Sequence, residues 1–489
     1  MKYTPQAYGS LTKKKLIEAY KREGIDLFYN IEADANGKET IEFLPSRLAV
    51  YFKKIYHVIS IGILVNGVFK GDIYTYDEEK EIHIPEGEYT LAEEITKMWG
   101  DRASKIPSAK VFYHLATITR TQAKDIELPL NLIPVANGIV KINDDLSLEL
   151  LPNSPDYFVI NRSPVPWLPE QDCPKWKETL STALRPEDIY PLQESVGYGF
   201  WRAIFIAIAF FFLGDSQTGK STLFKVLQAL FGDNNTTSLT LVQLTSQFSG
   251  SQLQHKSVNI RSDLSKEDIK DTSFFKQIVS GDRMFFDRKF KPGIEVEPYA
   301  KHFLSANATS RVYNADTAFW IRWRIFRMDQ EQYLLGDPRR DSKLIDKLLV
   351  ELPGILNWAL EGLVRLLRQD CFSSHQDEED VKRIWTLWSD PAGKFLESSL
   401  VIFGYMEQED MWVTKEDLYV AYVAFCVKNK IGAMEKANFG RFISRRYKGQ
   451  IGNVYKRLGG KQTYCWKGVK LAPLQPPDDD MQGMMSDYE

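Results

Sequence analysis

The sequence predicts an α/β core, preceded by an α+β domain and followed by a helical segment and a small basic module of two helices and a hairpin. The first observation behind this reading is an apolar run, Ala203 to Leu213, that leads straight into a glycine-flanked polar loop and then a helix-period pattern. The second is that residues 200 to 335 hold further apolar runs ending at glycine, polar or charged positions, as buried strands of an α/β sheet do. The third is the spacing of Leu344, Leu348, Leu349, Leu352, Leu356 and Leu360, close to one residue in 3.6, which marks helix over 338 to 370.

Length and composition bound the rest. The 489 residues exceed one ordinary core, and at about 150 residues per domain they predict roughly three. Hydrophobic residues are 44% and charged residues 26%, which excludes a disordered, collagenous or coiled-coil chain. With 62 basic and 65 acidic residues the net charge is -3, so a uniformly basic nucleic-acid coat is excluded and any basic patch must be local. Cys173, Cys371, Cys426 and Cys465 lie far apart without a C-x-x-C pair, which points to a reducing interior and to no zinc site. The start of the chain, MKYTPQAYGSLTKKK, has no apolar stretch after its charges, and the eleven residues 203 to 213 fall short of the ~20 that a membrane helix requires. An intracellular, cytoplasmic location is expected.

Taken in order, residues 11 to 24 predict a short basic amphipathic helix closed by Gly24 within a segment 1–45. Residues 46–190 mix alternating strands, GDIYTYD at 71 to 77 and GIVKIND at 138 to 144, with helical stretches, and form the α+β domain. Four prolines between Ser163 and Pro174 predict an extended connector ahead of a helix near Lys175. The α/β core follows over 191–335 and the helical segment over 336–395, within which 373 to 384 reads as a polar acidic link. The basic module spans 396–472, and 473–489 is an acidic tail.

The most specific motif is Gly214-Asp215-Ser216-Gln217-Thr218-Gly219-Lys220-Ser221-Thr222, a complete G-x-x-x-x-G-K-[ST] in strand, loop, helix context. Glycines let backbone N–H groups approach phosphates, and the helix N-terminus adds its positive end. Lys220 is suited to the β and γ phosphates of ATP and Ser221 to Mg²⁺. In SVNIRSDLS, Asp263 follows a short strand through Val258 and Ile260, where a carboxylate can hold Mg²⁺ or polarise water; capping the next helix is the plainer alternative.

These residues resemble, in order and spacing, the superfamily 3 helicases of viruses, phages and plasmids. The resemblance rests on LGDSQTGKST, VNIRSDLS, FKQIVSGDRMFFDRKFKPG, HFLSAN and FWIRWRIF. Upstream, NGIVKINDD, LLPNSPDYFVINRSPVPW and LQESVGYGF resemble the domain before the ATPase in phage and poxvirus-type primase-helicases, so the likeness runs from about residue 50 to 330. It implies an AAA+-like P-loop ATPase core. Lys220, Ser221 and Thr222 match the nucleotide loop, Asp263 the acidic strand end, Asn307 the polar sensor of the γ phosphate, and Arg322 the arginine finger of a neighbouring subunit, with Arg324 and Arg327 as runners-up. Lys289 matches the lysine of a channel hairpin, where Arg283, Arg288, Lys289 and Lys291 interleave with Phe285, Phe286 and Phe290 as single-strand tracking requires, an exposed charged hairpin with a Phe core being the alternative. Two departures stand out: Ser262 replaces a second acid before Asp263, leaving Glu267 as an alternative, and Ile321 replaces a second arginine.

Residues 436 to 470 hold ten Lys or Arg and no acid, a local nucleic-acid footprint. Thr414 with Asp417 predicts a capped helix bearing Leu418, Tyr422, Phe425 and Cys426, and Phe439, Phe442, Ile443 and Tyr447 a second, with Arg441, Arg445 and Arg446 on its surface. Gly459-Gly460 joins the strands bearing Lys456 and Arg457 to KQTYCWK as a hairpin. The module resembles a winged helix, suited to duplex or origin docking, with ring packing as the alternative. The resemblance implies an ATP- and Mg²⁺-dependent homo-hexamer that moves 3′ to 5′ on single-stranded DNA while replicating a mobile element. An assembly ATPase without unwinding and a small-molecule kinase share the same loop and stay open. No primase domain is expected in these residues, which leaves room for a separate primase or polymerase partner.

Overall fold

The computed structural model describes residues 28–472 except 34–38, 66–67, 246–249, 263–268, 289–290, 311, 314, 331–336, 399, 407 and 430. The basic helix expected over 11 to 24 and the acidic tail lie outside the described residues. The chain divides into two compact units, Met1–Pro169 and Glu170–Glu489. The sequence reading put its boundary near 190, whereas the helices before that point pack within the second unit.

The first unit contains an antiparallel pair, β1 (Tyr29–Ala33) and β2 (Glu39–Phe43), then α1 (Pro45–Ile55). A four-stranded sheet follows, made of β3 (Ile59–Val65), β4 (Val68–Asp77), β5 (Ile82–Ile84) and β6 (Arg120–Thr121) in the order β5-β4-β3-β6. Between β5 and β6 run α2 (Gly87–Trp99) and α3 (Ser108–Thr119), which bury Leu91, Ile95, Trp99, Val111 and Leu115 together with Phe28, Leu48 and Phe52. The short α4 (Ala123–Ile126) leads to the meander β7 (Leu132–Val135), β8 (Gly138–Ile142) and β9 (Leu148–Leu151). Of the strands read from alternation, the one at 71 to 77 lies within β4 and the one at 138 to 144 is a strand only as far as Ile142.

In the second unit α5 (Pro174–Ala183) and α6 (Pro186–Tyr198) precede the central strand, β10 (Ala209–Leu213). Then come α7 (Lys220–Phe231), β11 (Thr236–Thr237), α8 (Leu241–Leu244), β12 (Val258–Arg261) and α9 (Ser273–Ser280). An antiparallel hairpin, β13 (Met284–Arg288) and β14 (Lys291–Val296), stands between α9 and β15 (Lys301–Ala306). The one-turn α10 (Thr317–Trp320) precedes β16 (Trp323–Arg327). Five strands pair in parallel in the order β11-β12-β15-β10-β16, so the first strand in sequence lies between the last two. Such an order needs a crossover after each strand, and it collects the loops at the strands' carboxyl ends.

Alternation along β10 builds two aromatic layers. Phe210 and Phe212 face Phe303, Phe326 and the Phe224 ring of α7, while Phe211 faces Trp323 and stacks on Trp385 at 5.0 Å. All five β10 residues are buried, as a strand covered on both faces must be. Trp385 belongs to α13 (Glu378–Ser389), which follows α11 (Leu344–Val350) and α12 (Leu352–Gln369). The acidic link expected over 373 to 384 is therefore corrected to a helix from Glu378 onward. Asp377 accepts the Asp380 N–H as its cap, and Val381, Ile384, Trp385 and Trp388 form a buried face that the acidic first turn hides from a composition reading.

Helix α6 is buried from Pro191 to Tyr198 and lies against α12. Small residues permit the approach: a Cβ on Gly197 would overlap the Ala359 carbonyl, and one on Gly362 the Gln193 carbonyl. Glu194, fully buried, accepts from Arg365 Nε at 2.6 Å and from the Ser373 N–H at 2.8 Å, so its charge is compensated.

The C-terminal part comprises α14 (Pro391–Leu396), β17 (Val401–Phe403), β18 (Trp412–Thr414), α15 (Lys415–Lys428), α16 (Lys436–Arg446), β19 (Gly452–Leu458), β20 (Lys461–Lys467) and β21 (Val469–Leu471). The strands form β18-β20-β19 and β17-β21. Thr414 accepts the Asp417 N–H at 2.9 Å, the expected cap, and Gly459 and Gly460 take φ +57° and +79°, as a two-residue hairpin turn requires.

Gly197→Ala should destabilise the chain by about 1–3 kcal/mol, because the added methyl meets backbone rather than a movable side chain. Thermal melting checks this, with Ala183→Gly on the neighbouring α5 expected to leave the α6–α12 contact intact.

Candidate functional site

The nucleotide-type loop leaves the carboxyl end of β10 and enters α7. Gly214 has no room for a side chain: a Cβ would overlap the Met328 carbonyl and press on the Thr218 hydroxyl. Met328 is itself pinned, its N–H donating to the Leu213 carbonyl at 2.7 Å. Gln217 and Gly219 adopt φ +69° and +91°, which turns the loop back on itself, and Gly219 N-caps α7. Thr218 donates its hydroxyl to the Asp215 carbonyl at 3.0 Å. Lys220, only 7% exposed, donates Nζ to the carbonyls of Gly214 and Asp215, both at 2.6 Å. The ammonium is thus desolvated and held inside the loop, while Ser216, Gln217 and Ser221 are exposed on its rim and Thr222 is half-buried.

Asn307 immediately follows β15, the strand paired with β10, and donates Nδ2 to Ser216 Oγ at 3.3 Å. An amide read from sequence as 91 residues away is thereby brought onto the loop. Asp263, and its alternative Glu267, lie outside the described residues; β12 is described through Arg261. Asn259 within β12 ties the sheet edge, accepting the Leu239 N–H at 2.6 Å and donating to the Leu239 carbonyl.

The two arginines of FWIRWRIF and Arg327 just after it separate cleanly. Arg322 precedes β16, where its carbonyl accepts the Ala209 N–H at the amino end of β10, so at about 3.3 Å per residue it sits a strand's length from the Gly214–Lys220 loop. Its guanidinium donates to Ser280 Oγ at 3.0 Å and to the Ala318 carbonyl at 2.5 Å. Arg324 is 3% exposed and bonded to Asp188 at 2.7 Å, and removing one partner of such a buried pair costs about 3–5 kcal/mol. Arg327 pairs with Asp329 at 2.5 Å and donates to the Asn429 carbonyl at 3.0 Å.

That last bond brings the C-terminal part to the loop. Beside it, the Gly432 N–H donates to the Asp215 carboxylate. Burial lifts the Asp215 carboxyl above its ordinary range, against the Lys220 charge and the Gly432 bond, which both lower it. The sequence reading missed this contact, since an isolated glycine in KNKIGAM carries no periodic signal.

Of the residues expected to meet DNA, Lys289 lies outside the described residues, and Arg288 and Lys291 are placed as opposing backbone positions at the end of the hairpin. Phe285 on that hairpin is 55% exposed and Phe286 is buried. Arg441 and Arg445 line a surface groove with Met434, Asn438, Phe442 and Arg446. Arg446 is engaged by Asp390 and by Glu397 at 3.5 Å. Lys456 lies 5.7 Å over the Trp412 ring, and Arg457 is exposed near the tip. Among the described residues no helix is long and apolar enough to cross a membrane.

Three family models match this chain. Residues 46–185 match the D5 N terminal like domain, residues 212–322 a family of unknown function numbered DUF5906, and residues 399–473 the RFX DNA-binding domain. The first two lie in succession along the chain, each over less than half of it. The third covers the C-terminal part. No curated protein matches. Among solved structures, the A form apo structure of the NrS-1 C-terminal region is 11% identical with a TM-score of 0.45, covering 83% of this chain and 95% of that one. A second apo structure of that region, residues 305–718, is 12% identical with a TM-score of 0.44, covering 84% and 96%.

A carboxyl raised by burial contributes stability that is full below its unfolded value near 3.9 and is lost as pH rises through the folded value. Asp215→Asn removes that loss, so its melting-temperature advantage over the parent should grow between pH 4 and pH 7. A difference that shrinks over that interval would reverse the assignment.

Proposed function

We propose that this chain is an ATP- and Mg²⁺-dependent helicase of superfamily 3 with an AAA+-like core, working as a homo-hexameric ring on single-stranded DNA, 3′ to 5′, in replication of a mobile genetic element. The observation that carries the reading is the G-x-x-x-x-G-K-S loop at the carboxyl end of the central parallel strand, with Lys220 buried in it and Asn307 bonded to it. The residues fit a nucleotide triphosphate. Gly214 and Gly219 open the backbone, the ammonium of Lys220 already lies among oxygen acceptors, and the exposed hydroxyl of Ser221 at the start of α7 suits a hard cation.

Lys220 would exchange its two carbonyl partners for β- and γ-phosphate oxygens, an exchange of like hydrogen bonds. Ser221 and Asp263 would hold Mg²⁺, which when bound neutralises charge on the phosphates. Asn307 would orient the attacking water through its amide, and Arg322, remote from its own loop, would complete the site of the adjacent subunit by stabilising charge on the transferred group. Arg324 is withdrawn from that role by its bond to Asp188.

For DNA, the hairpin bearing Arg288, Lys289 and Lys291 would track the single strand through the ring. Arg441, Arg445, Lys456 and Arg457 would face forked or origin duplex, whereas Arg446 fastens α16 to Asp390 and Glu397. A separate primase or polymerase remains an expected partner.

Subunit mixing tests the reading. Lys220→Ala and Arg322→Ala chains should each be without turnover, while their mixture recovers part of it, because an intact Lys220 then meets an intact Arg322 across an interface. Forked duplexes with a 3′ tail should be opened and those with only a 5′ tail should not. Normal turnover by Arg322→Ala alone would remove it from the site, and tight DNA binding without strand separation would favour an assembly ATPase.

A further inference from the structure

The hairpin β19–β20 carries an aromatic pair that none of the roles above uses. Tyr455 and Tyr464 are opposed across the two strands, with ring centroids 4.0 Å apart. Alternation puts Asn453, Tyr455 and Arg457 on one face with their partners Trp466, Tyr464 and Gln462. At the base this face is closed: Trp466 is 3% exposed, under Lys415 Nζ at 4.1 Å from its ring. Further out it is open, with Tyr455 50% and Tyr464 52% exposed.

A cross-strand aromatic pair adds about 0.2–1 kcal/mol to a hairpin without being left half in water, so fold stability does not require this exposure. Basic groups stand next to it. Lys415 Nζ is 5.1 Å from the Tyr464 ring, Arg457 is exposed beside the pair, and no acid occurs from 436 to 470. Of the acids on the adjoining helix, Glu416 is paired with Lys436, and the Asp417 carboxylate accepts the Thr414 hydroxyl at 2.6 Å. The occupant that fits is a polyanion with flat apolar faces. In a duplex those faces are covered by neighbouring base pairs, whereas in a single strand they are free to stack.

We propose that Tyr455 and Tyr464 form a stacking platform for two unpaired bases of single-stranded DNA, with Lys415 and Arg457 flanking it toward the phosphates. This rests on the DNA-handling reading above and gives the C-terminal part a role at the strand junction in addition to duplex docking. Bases leaving a fork would be captured on the hairpin by their faces, independent of sequence, since every base has one.

Photocrosslinking of the full chain to a thymidine oligonucleotide carrying 5-iododeoxyuridine, with mass-spectrometric mapping, reads the contact directly. Crosslinks are expected at Tyr455 or Tyr464. The double variant Tyr455→Ala, Tyr464→Ala should bind the single strand about tenfold more weakly or worse, and an abasic oligonucleotide should bind the parent chain equally weakly. Phe at both positions should restore binding, because stacking needs the ring and not the hydroxyl, and blunt duplex binding should be little changed in every variant. Melting curves establish that each variant is folded. Absence of crosslinks on this hairpin, an equal loss on duplex, or failure of the Phe pair to rescue would overturn the platform. DNA-stimulated ATP turnover with unchanged single-strand affinity in a folded Ala variant would overturn the platform alone; no binding of any DNA by the parent would overturn both readings.

Discussion

The strand β10 is buried along its whole length between β15 and β16, with aromatic layers on both faces, and the rest of the second unit is arranged around that constraint. A strand so enclosed cannot shift register by one residue without exchanging Phe211 for Phe210 and Phe212 between two differently shaped layers. Its carboxyl end is therefore fixed, and with it Gly214, which sits against the Met328 carbonyl at the end of the neighbouring strand. Loop conformation, the burial of Lys220 and the approach of Asn307 follow from that fixed point.

The same packing assigns the arginines. β16 carries Arg324 into the layer where Asp188 of α6 meets it, leaves Arg322 at the amino edge and brings Arg327 to the carboxyl edge beside the Asn429 carbonyl. Three arginines within six residues thus have three environments: one inside the core, one at the far edge and one joining the core to the C-terminal part. With Gly432 on Asp215, this last junction also reaches the Gly214–Lys220 loop.

Much of this was legible in the sequence because the signals were local. A glycine-lysine loop between an apolar run and a helix pattern, the Thr414 cap and the Gly459-Gly460 turn each depend on a few consecutive residues, and each lies where the sequence put it. Helix α13 was read as a link because the acids of its first turn, which favour a helix N-terminus, also look like a solvated linker. The Arg324–Asp188 pair spans 136 residues and the Gly432–Asp215 contact more than 200, and neither leaves a mark on local spacing. Exposure of the tyrosine pair was equally illegible, since alternation on a hairpin does not say which face another element covers.

In the proposed reading, hydrolysis at the Lys220 loop is coupled to DNA. The direct measurement is the steady-state rate of ATP hydrolysis by the purified chain with and without a long single-stranded DNA at fixed salt. The expected rate rises severalfold with DNA and disappears when Mg²⁺ is chelated. A substantial rate indifferent to single-stranded DNA across a range of lengths would contradict it.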